Sequence, residues 1–332
     1  MRIALDAMGG DNAPDAIISG AIESLDHLDP DDEIILVGPQ DIVAQHMSCP
    51  KRSRDRVHIV DAPEIVSMDE SPVDSLRKKP KSSISVLSKL AKKGQADAVI
   101  SAGNTGACVA AFQMRMRNIP GVNRPGIAVV FPTFGGPVTI CDVGANIACK
   151  PINLYQYCVM AAIHSKHVIG IDNPRVAMMS IGSEAAKGNE VVKKARELIQ
   201  SDPNINFIGN IEGRDIFKGV CDVVVCEGFV GNVILKLTEG LVDGLFKAIK
   251  HELMQEKLRL ALKFKPIMMR IYKKYDYNEY GGAPLLGVNG TAFICHGSSK
   301  ELTIRNVMIT AKKYHTLKIN DKIMDSLSQT SF

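Results

Sequence analysis

Short apolar runs recur along this chain, each followed by a turn signal and then by a stretch with helical spacing. RIALDAM (2–8), EIILVG (33–38), VHIVDAP (57–63), DAVISAG (97–103), RVAMMSIG (175–182), INFIGN (205–210) and DVVVCEG (222–228) read as strands. Between them lie a helix opening near Pro14, SISVLSKLAKKG (83–94), TGACVAAFQMRMR (105–117), PINLYQYCVMAAIHSKH (151–167) and NEVVKKARELIQ (189–200). Strands this apolar need cover on both faces, and strand–helix alternation makes their sheet largely parallel. GIAVVFP (126–132) and VTICDVG (138–144) flank Gly135-Gly136 and read as an antiparallel or neighbouring pair. The expectation is an α/β fold, a largely parallel twisted sheet with helices on both faces. No low-complexity linker breaks the chain, so residues 1–332 are expected to form one domain.

Composition removes several functions. A net charge of +4, with 5% aromatic residues and no Trp, argues against a nucleic-acid partner. The eight cysteines form no CxxC pair and several sit in apolar runs, which is the pattern of reduced core thiols in a cytoplasmic protein. His164 and His167 are three apart on a helical stretch, but nothing with ligand spacing joins them, so no metal is expected. Met1-Arg2 leads straight into a strand, without the apolar region of a signal peptide. The uncharged run Pro125 to Cys141 is broken by Pro132, Gly135, Gly136 and Pro137 and is not a membrane span.

Residues 240–278 differ in character. They carry nine Lys or Arg between 247 and 274 against Glu252 and Glu256, and Pro266 is expected to separate two helical halves. The stretch reads as a basic amphipathic hairpin appended to the domain, with two compatible uses. It can pack in a dimer interface, or lie on anionic lipid through Leu258, Leu262, Phe264, Ile267, Met268 and Ile271.

In a parallel sheet, ligands bind beyond the carboxyl ends of the strands, where helix N-termini point donors at them. Three strand ends are followed by Gly-Asn at an expected helix entry: Asn104-Thr105-Gly106, Asn189 and Gly231-Asn232. Asn is a strong N-cap and Gly admits close backbone approach, so the three read as anion-facing helix starts at one edge of the sheet. Lys187 lies in the loop GSEAAKGN before the second of them, and Asp142 and Asn146 follow another apolar strand in DVGAN. His296 ends the strand TAFICHG. The first strand ends in Asp6, Gly9-Gly10 and Asp11. Two carboxylates would repel an anion, so Gly9-Gly10 is not expected to cradle one. Asp11 or Asn12 would cap the next helix, and Asp6 would orient Lys187 or His296. The chain has neither GxGxxG nor GxxxxGK[ST], so the anion expected is inorganic phosphate or a small acyl phosphate.

LDAMGGDNAP (5–14), MDESPVDSLRKKPKSS (68–83), SAGNTGA (101–107), DVGAN (142–146), IGSEAAKGNE (181–190), GFVGN (228–232) and YGGAPLLGVNG (280–290) occur in order along nearly the whole chain. In this set the chain resembles the acyl carrier protein-dependent phosphate acyltransferases of bacterial phospholipid synthesis. Val230 stands where that family usually has Thr. The resemblance implies transfer of a long-chain acyl group from acyl carrier protein to inorganic phosphate, with the thioester arm passing close to Gly9-Gly10. The acyl phosphate would then feed a membrane glycerol-phosphate acyltransferase. It also implies a fold like that of phosphotransacetylases and isocitrate dehydrogenase, a homodimer, no cofactor, and loose association with the inner face of the membrane. Lys187, Asn232 and His296 become the expected catalytic residues. The expected substrate contacts are Asp6, Gly9, Gly10, Asp11, Asn104, Thr105, Gly106, Asp142, Asn146, Glu184, Asn189 and Gly231. A β-decarboxylating dehydrogenase and an inactive membrane scaffold for lipid enzymes are the alternatives.

Overall fold

The computed structural model describes the backbone of residues 1–255, 258–275 and 281–329, and their side chains except at 51–53, 258–261 and 272–275. The chain opens with β1 (Arg2–Asp6), α1 (Asp15–Ser24), β2 (Glu33–Gly38), α2 (Gln40–His46), β3 (Val57–Asp61), α3 (Pro72–Lys78), α4 (Ser83–Lys92), β4 (Ala98–Ser101) and α5 (Thr105–Met116). A hairpin of β5 (Gly126–Thr133) and β6 (Gly136–Cys141) follows. Next come α6 (Pro151–His164), β7 (Val176–Met179), α7 (Glu190–Gln200), β8 (Phe207–Ile211), β9 (Val223–Val225), α8 (Gly228–Gln255) and α9 (Leu258–Tyr275). β10 (Ala283–Leu286), β11 (Thr291–Ile294), α10 (Glu301–Thr316) and α11 (Ile319–Ser328) complete the chain.

The strands form one sheet in the order β3-β2-β1-β4-β11-β10-β5-β6-β9-β7-β8. Both flanks are parallel, as expected, but β11/β10, β10/β5 and β5/β6 are antiparallel. Three reversals are an odd number, so β6, β9, β7 and β8 run opposite to β1, β2, β4 and β11. The carboxyl ends of the two flanks therefore leave the sheet at opposite edges. The expected single edge for all three Gly-Asn pairs is corrected accordingly: Asn104 follows β4 at one edge, while Asn189 and Asn232 follow β7 and β9 at the other.

Strand residues alternate between two cores, because successive side chains point to opposite faces. Ile3 and Leu5 enter one core with Tyr155, Met160, Ile199, Val307 and Ile323 of α6, α7, α10 and α11. Ala4 enters the other with Leu76, Leu87 and Phe112 of α3, α4 and α5. Burying one such large side chain stabilises the fold by about 2–3 kcal/mol. Six of the eight cysteines are buried, and all eight are free thiols.

The helical hairpin differs from expectation at both ends. α8 starts at Gly228, well before residue 240, and α9 runs through Pro266 without a break. Proline removes one helical hydrogen bond, and Pro266 is exposed, where water can satisfy the freed carbonyl. α8 ends at Gln255 and α9 begins at Leu258. Phe229, Val233, Leu237, Leu241 and Leu245 form an exposed ridge on α8 at four-residue spacing. On α9, Leu262, Phe264, Ile267 and Ile271 are exposed and Met268 is half-buried. The Leu258 side chain and residues 276–278 of the expected hairpin lie outside the described residues. Among the described residues, no helix is long and apolar enough to cross a membrane.

Candidate active site

Three loops meet at the carboxyl ends of β1, β4 and β11. Asp6 is buried beneath them, accepting from Ser101 Oγ at 2.7 Å and from the Met8 N–H at 3.1 Å. Burial pushes its pKa up, against opposing hydrogen bonds from Ser83, Ser101, Met8 and Gly9. The expected pairing of Asp6 with Lys187 or His296 is thus replaced by a tie between two loops of the same flank. Gly9 and Gly10 serve that junction. A Cβ at Gly9 would stand 2.6 Å from the Gly103 nitrogen, and one at Gly10 would stand 2.8 Å from the Gly297 oxygen. Their close neighbour is protein backbone, where a thioester arm was expected. The Asp11 N–H donates to the Gly297 carbonyl at 2.7 Å. Asn12 donates through Nδ2 to the Ser298 and Ser299 carbonyls, and neither side chain caps α1.

Asn104 caps α5 as expected, accepting the Ala107 N–H at 3.0 Å. Its amide nitrogen donates to the carbonyls of Ser67, Met68 and Glu70. The side chain is therefore occupied by the loop before α3, and what α5 presents is Thr105 and the N–H groups of Thr105 and Gly106, for which a helix supplies no acceptor of its own. Gly106 provides close packing, since a Cβ there would stand 2.6 Å from Pro72 Cγ.

At the opposite edge, the Asp142 carboxylate accepts from the N–H groups of Ile127, Gly144, Ala145 and Asn146. Burial raises its pKa, while these four donors act in the other sense. Asn146 donates to the Pro125 carbonyl at 2.6 Å and to Tyr157 Oη at 2.8 Å. Both side chains build the DVGAN loop. GFVGN is the surface that presses on it: a Cβ at Gly231 would lie 1.9 Å from the Asp142 carbonyl oxygen, and one at Gly228 would lie 2.6 Å from that of Asn146. Asn232 consequently sits in the second turn of α8, and the expected cap at this helix start is corrected. Asn189 does cap α7, accepting the Val192 N–H at 2.9 Å. Lys187 and Glu184 are exposed on the loop before it, and the Asn210 amide holds that loop through the Glu184 carbonyl at 3.1 Å.

α8 joins the two edges. It begins beside Asp142 and carries Asn232, Leu235, Lys236 and Glu239 along one wall of a cleft whose facing wall includes Thr105 and His296. Lys236 Nζ lies 2.6 Å from His296 Nε2 and 3.2 Å from Glu239 Oε2, and His296 Nδ1 lies 2.8 Å from Ser298 Oγ. Nδ1 also faces the Ser298 backbone N–H, which donates to it at 3.3 Å. Glu239 Oε1 is buried without a hydrogen-bond partner among the described residues. Of the expected site residues, the cleft gathers Thr105, Asn232 and His296. Asp6, Asp142, Asn146 and the glycines shape its walls from behind, and Lys187, Glu184 and Asn189 stand on the β7–α7 loop. Lys236 and Glu239 were missed. Their signal is helical spacing from Asn232, visible only when α8 is taken as continuous from Gly228.

The model of a family described as fatty acid synthesis protein matches residues 1–322. A phosphate acyltransferase of Halothermothrix orenii is 48% identical over 316 residues, covering 94% of each chain. Among solved structures, a phosphotransacetylase from Streptococcus pyogenes superposes with a TM-score of 0.63 at 16% identity, covering 95% of this chain and 94% of that one. A 4-hydroxythreonine-4-phosphate dehydrogenase from Klebsiella pneumoniae follows at 0.54 and 14%, covering 94% and 99%. At these identities the two structures speak for the fold alone, and it is the expected α/β class.

Proposed function

The chain belongs to the phosphate acyltransferase family of fatty acid synthesis proteins, and from that premise we propose that it moves a long-chain acyl group from the thioester of acyl carrier protein to inorganic phosphate. A phosphate oxygen attacks the thioester carbon, the carbonyl oxygen carries the charge of the tetrahedral intermediate, and the C–S bond breaks to give acyl phosphate and the carrier thiol. Phosphate is already anionic near neutral pH, so no strong base is needed. The work is positioning, with reacting atoms about 3–3.5 Å apart, and stabilisation of the oxyanion.

The observation that supports this reading is the convergence in one cleft of the α5 start at Thr105, the Asn232 amide and the Lys236–His296 pair. Asn232 and the α5 N–H groups are the proposed oxyanion and phosphate donors. Lys187, on the same edge as Asn232, is the proposed phosphate cation, and Lys236 adds positive charge beside His296. The alternative dehydrogenase and scaffold readings give way to the family. The test is loss of acyl-carrier-protein thioester with acyl phosphate trapped by hydroxylamine. Loss that ignores phosphate, or yields no hydroxamate, refutes it.

The setting belongs to the same proposal. The exposed ridge on α8 suits a second copy of this chain. The exposed apolar side chains of α9, interleaved with Lys263, Lys265 and Arg270, suit the inner face of an anionic membrane. A cytoplasmic enzyme held there would pass acyl phosphate to a membrane glycerol-phosphate acyltransferase.

A further inference from the structure

We propose that the acyl chain lies in a slot that passes through the sheet between β5 and β10, from the mouth at Thr105, Lys236 and His296 to His164 on the other face. This rests on the acyl-transfer reading above and goes on to locate the chain. β10 meets β5 only at Leu285↔Ile127 and Leu286↔Gly126. Beyond those pairs the strands part, and Ala128, Val129 and Val130 of β5 face Ala283 and Pro284 of β10 across the gap. One cavity takes lining residues from both faces of the sheet here. Leu235 and Val143 line the α8 side, and Val168, Ile169, Thr303 and Thr310 line the α6 and α10 side.

The chemistry of the lining selects a thin apolar ligand. Polar groups cluster at the mouth, and the passage between the strands is lined by Ala and Val. At the inner end the Thr310 hydroxyl is spent on the Asn306 carbonyl at 2.9 Å. His164 is buried and held neutral, because burial first and the Lys313 charge second lower its pKa to about 4. α6 widens there into a π-helical turn, Ser165–Ile169, which places Val168 and Ile169 on the wall. A thioester held at the mouth would direct its hydrocarbon into this passage.

Thr310→Phe and, independently, Ile169→Trp each shorten the slot from its inner end. Hydrophobic pockets discriminate by roughly tenfold or more over small changes in fit, so each variant should lower kcat/KM for 16-carbon acyl-carrier-protein by at least about tenfold while leaving a 4-carbon substrate within about twofold. An equal loss at both lengths, or no loss at 16 carbons in both variants, overturns the slot. Binding of a fluorescent 16-carbon fatty acid, read without turnover, separates the two claims. Binding weakened by the variants in a protein without phosphate-dependent turnover keeps the slot and removes the reaction. Phosphate-dependent turnover with binding the variants do not touch does the reverse.

Discussion

Replacing His164 by Leu should remove a measurable part of the pH dependence of stability. The imidazole is buried, its Nδ1 has no hydrogen-bond partner among the described residues, and its pKa falls from 6.5 to about 4. The native state therefore refuses a proton that the unfolded chain accepts. Stability from this group is fully present above pH 6.5 and is lost as pH falls toward 4. Between pH 7 and pH 5, an unfolded pKa of 6.5 against a native value near 4 costs about 2 kcal/mol. The raised values of Asp6 and Asp142 act in the opposite direction, but they are common to both proteins and cancel in the difference. Urea unfolding of wild type and His164→Leu at the two pH values reads this directly. The variant should be at least as stable at pH 7, since it replaces an unpaired polar atom by a side chain of similar size. It should lose about 2 kcal/mol less on going to pH 5. Parallel profiles would show that His164 titrates normally, and the neutral inner wall of the slot would go with it.

Gly231→Ala should destabilise by about 3 kcal/mol or displace the 142–146 loop, because its Cβ would fall 1.9 Å from the Asp142 oxygen; thermal unfolding checks this. Lys187→Ala and Lys236→Ala should each lower phosphate-dependent thioester loss by at least about tenfold with unchanged melting temperature, as removal of a charge-stabilising donor does. A wild-type rate in either variant takes that lysine out of the site. Ile267→Glu should weaken sedimentation with anionic vesicles, and salt should weaken it in the wild type. Equal sedimentation of both proteins would leave Ile267 without a role at lipid.

The strands of the parallel flanks were legible because each is apolar enough to report its own burial, as in Ala98–Ser101 and Val223–Val225. The caps at Asn104 and Asn189 were legible because an N-cap is a local device. β10 was not. Its four residues, APLL, include a proline and sit among glycines, and nothing local marks them as a strand. Of the three reversals, the local β5–β6 hairpin was read as an antiparallel or neighbouring pair, while the two that β10 makes are set by distant pairing and leave no trace in the pattern. α8 was misplaced for a related reason. Gly228 and Gly231 weaken a helix by propensity, roughly 1 kcal/mol each. They are nevertheless required, because only glycine lets the first turn lie on the Asp142–Asn146 backbone.

That same contact explains why the site residues come from such scattered positions. With an even number of antiparallel pairings, both flanks would deliver their loops to one edge, and short helix starts could assemble a site there. Three pairings leave the β11 and β9 ends at opposite edges, so a long element must cross between them. α8, anchored at Gly231 against Asp142, is that element: Asn232 stays near the β6 end while Lys236 and Glu239, one and two turns on, reach His296 beyond β11. Beneath this helix β10 pairs with β5 at only two positions. The strand order thus explains why charged groups from both flanks reach one cleft only by way of α8.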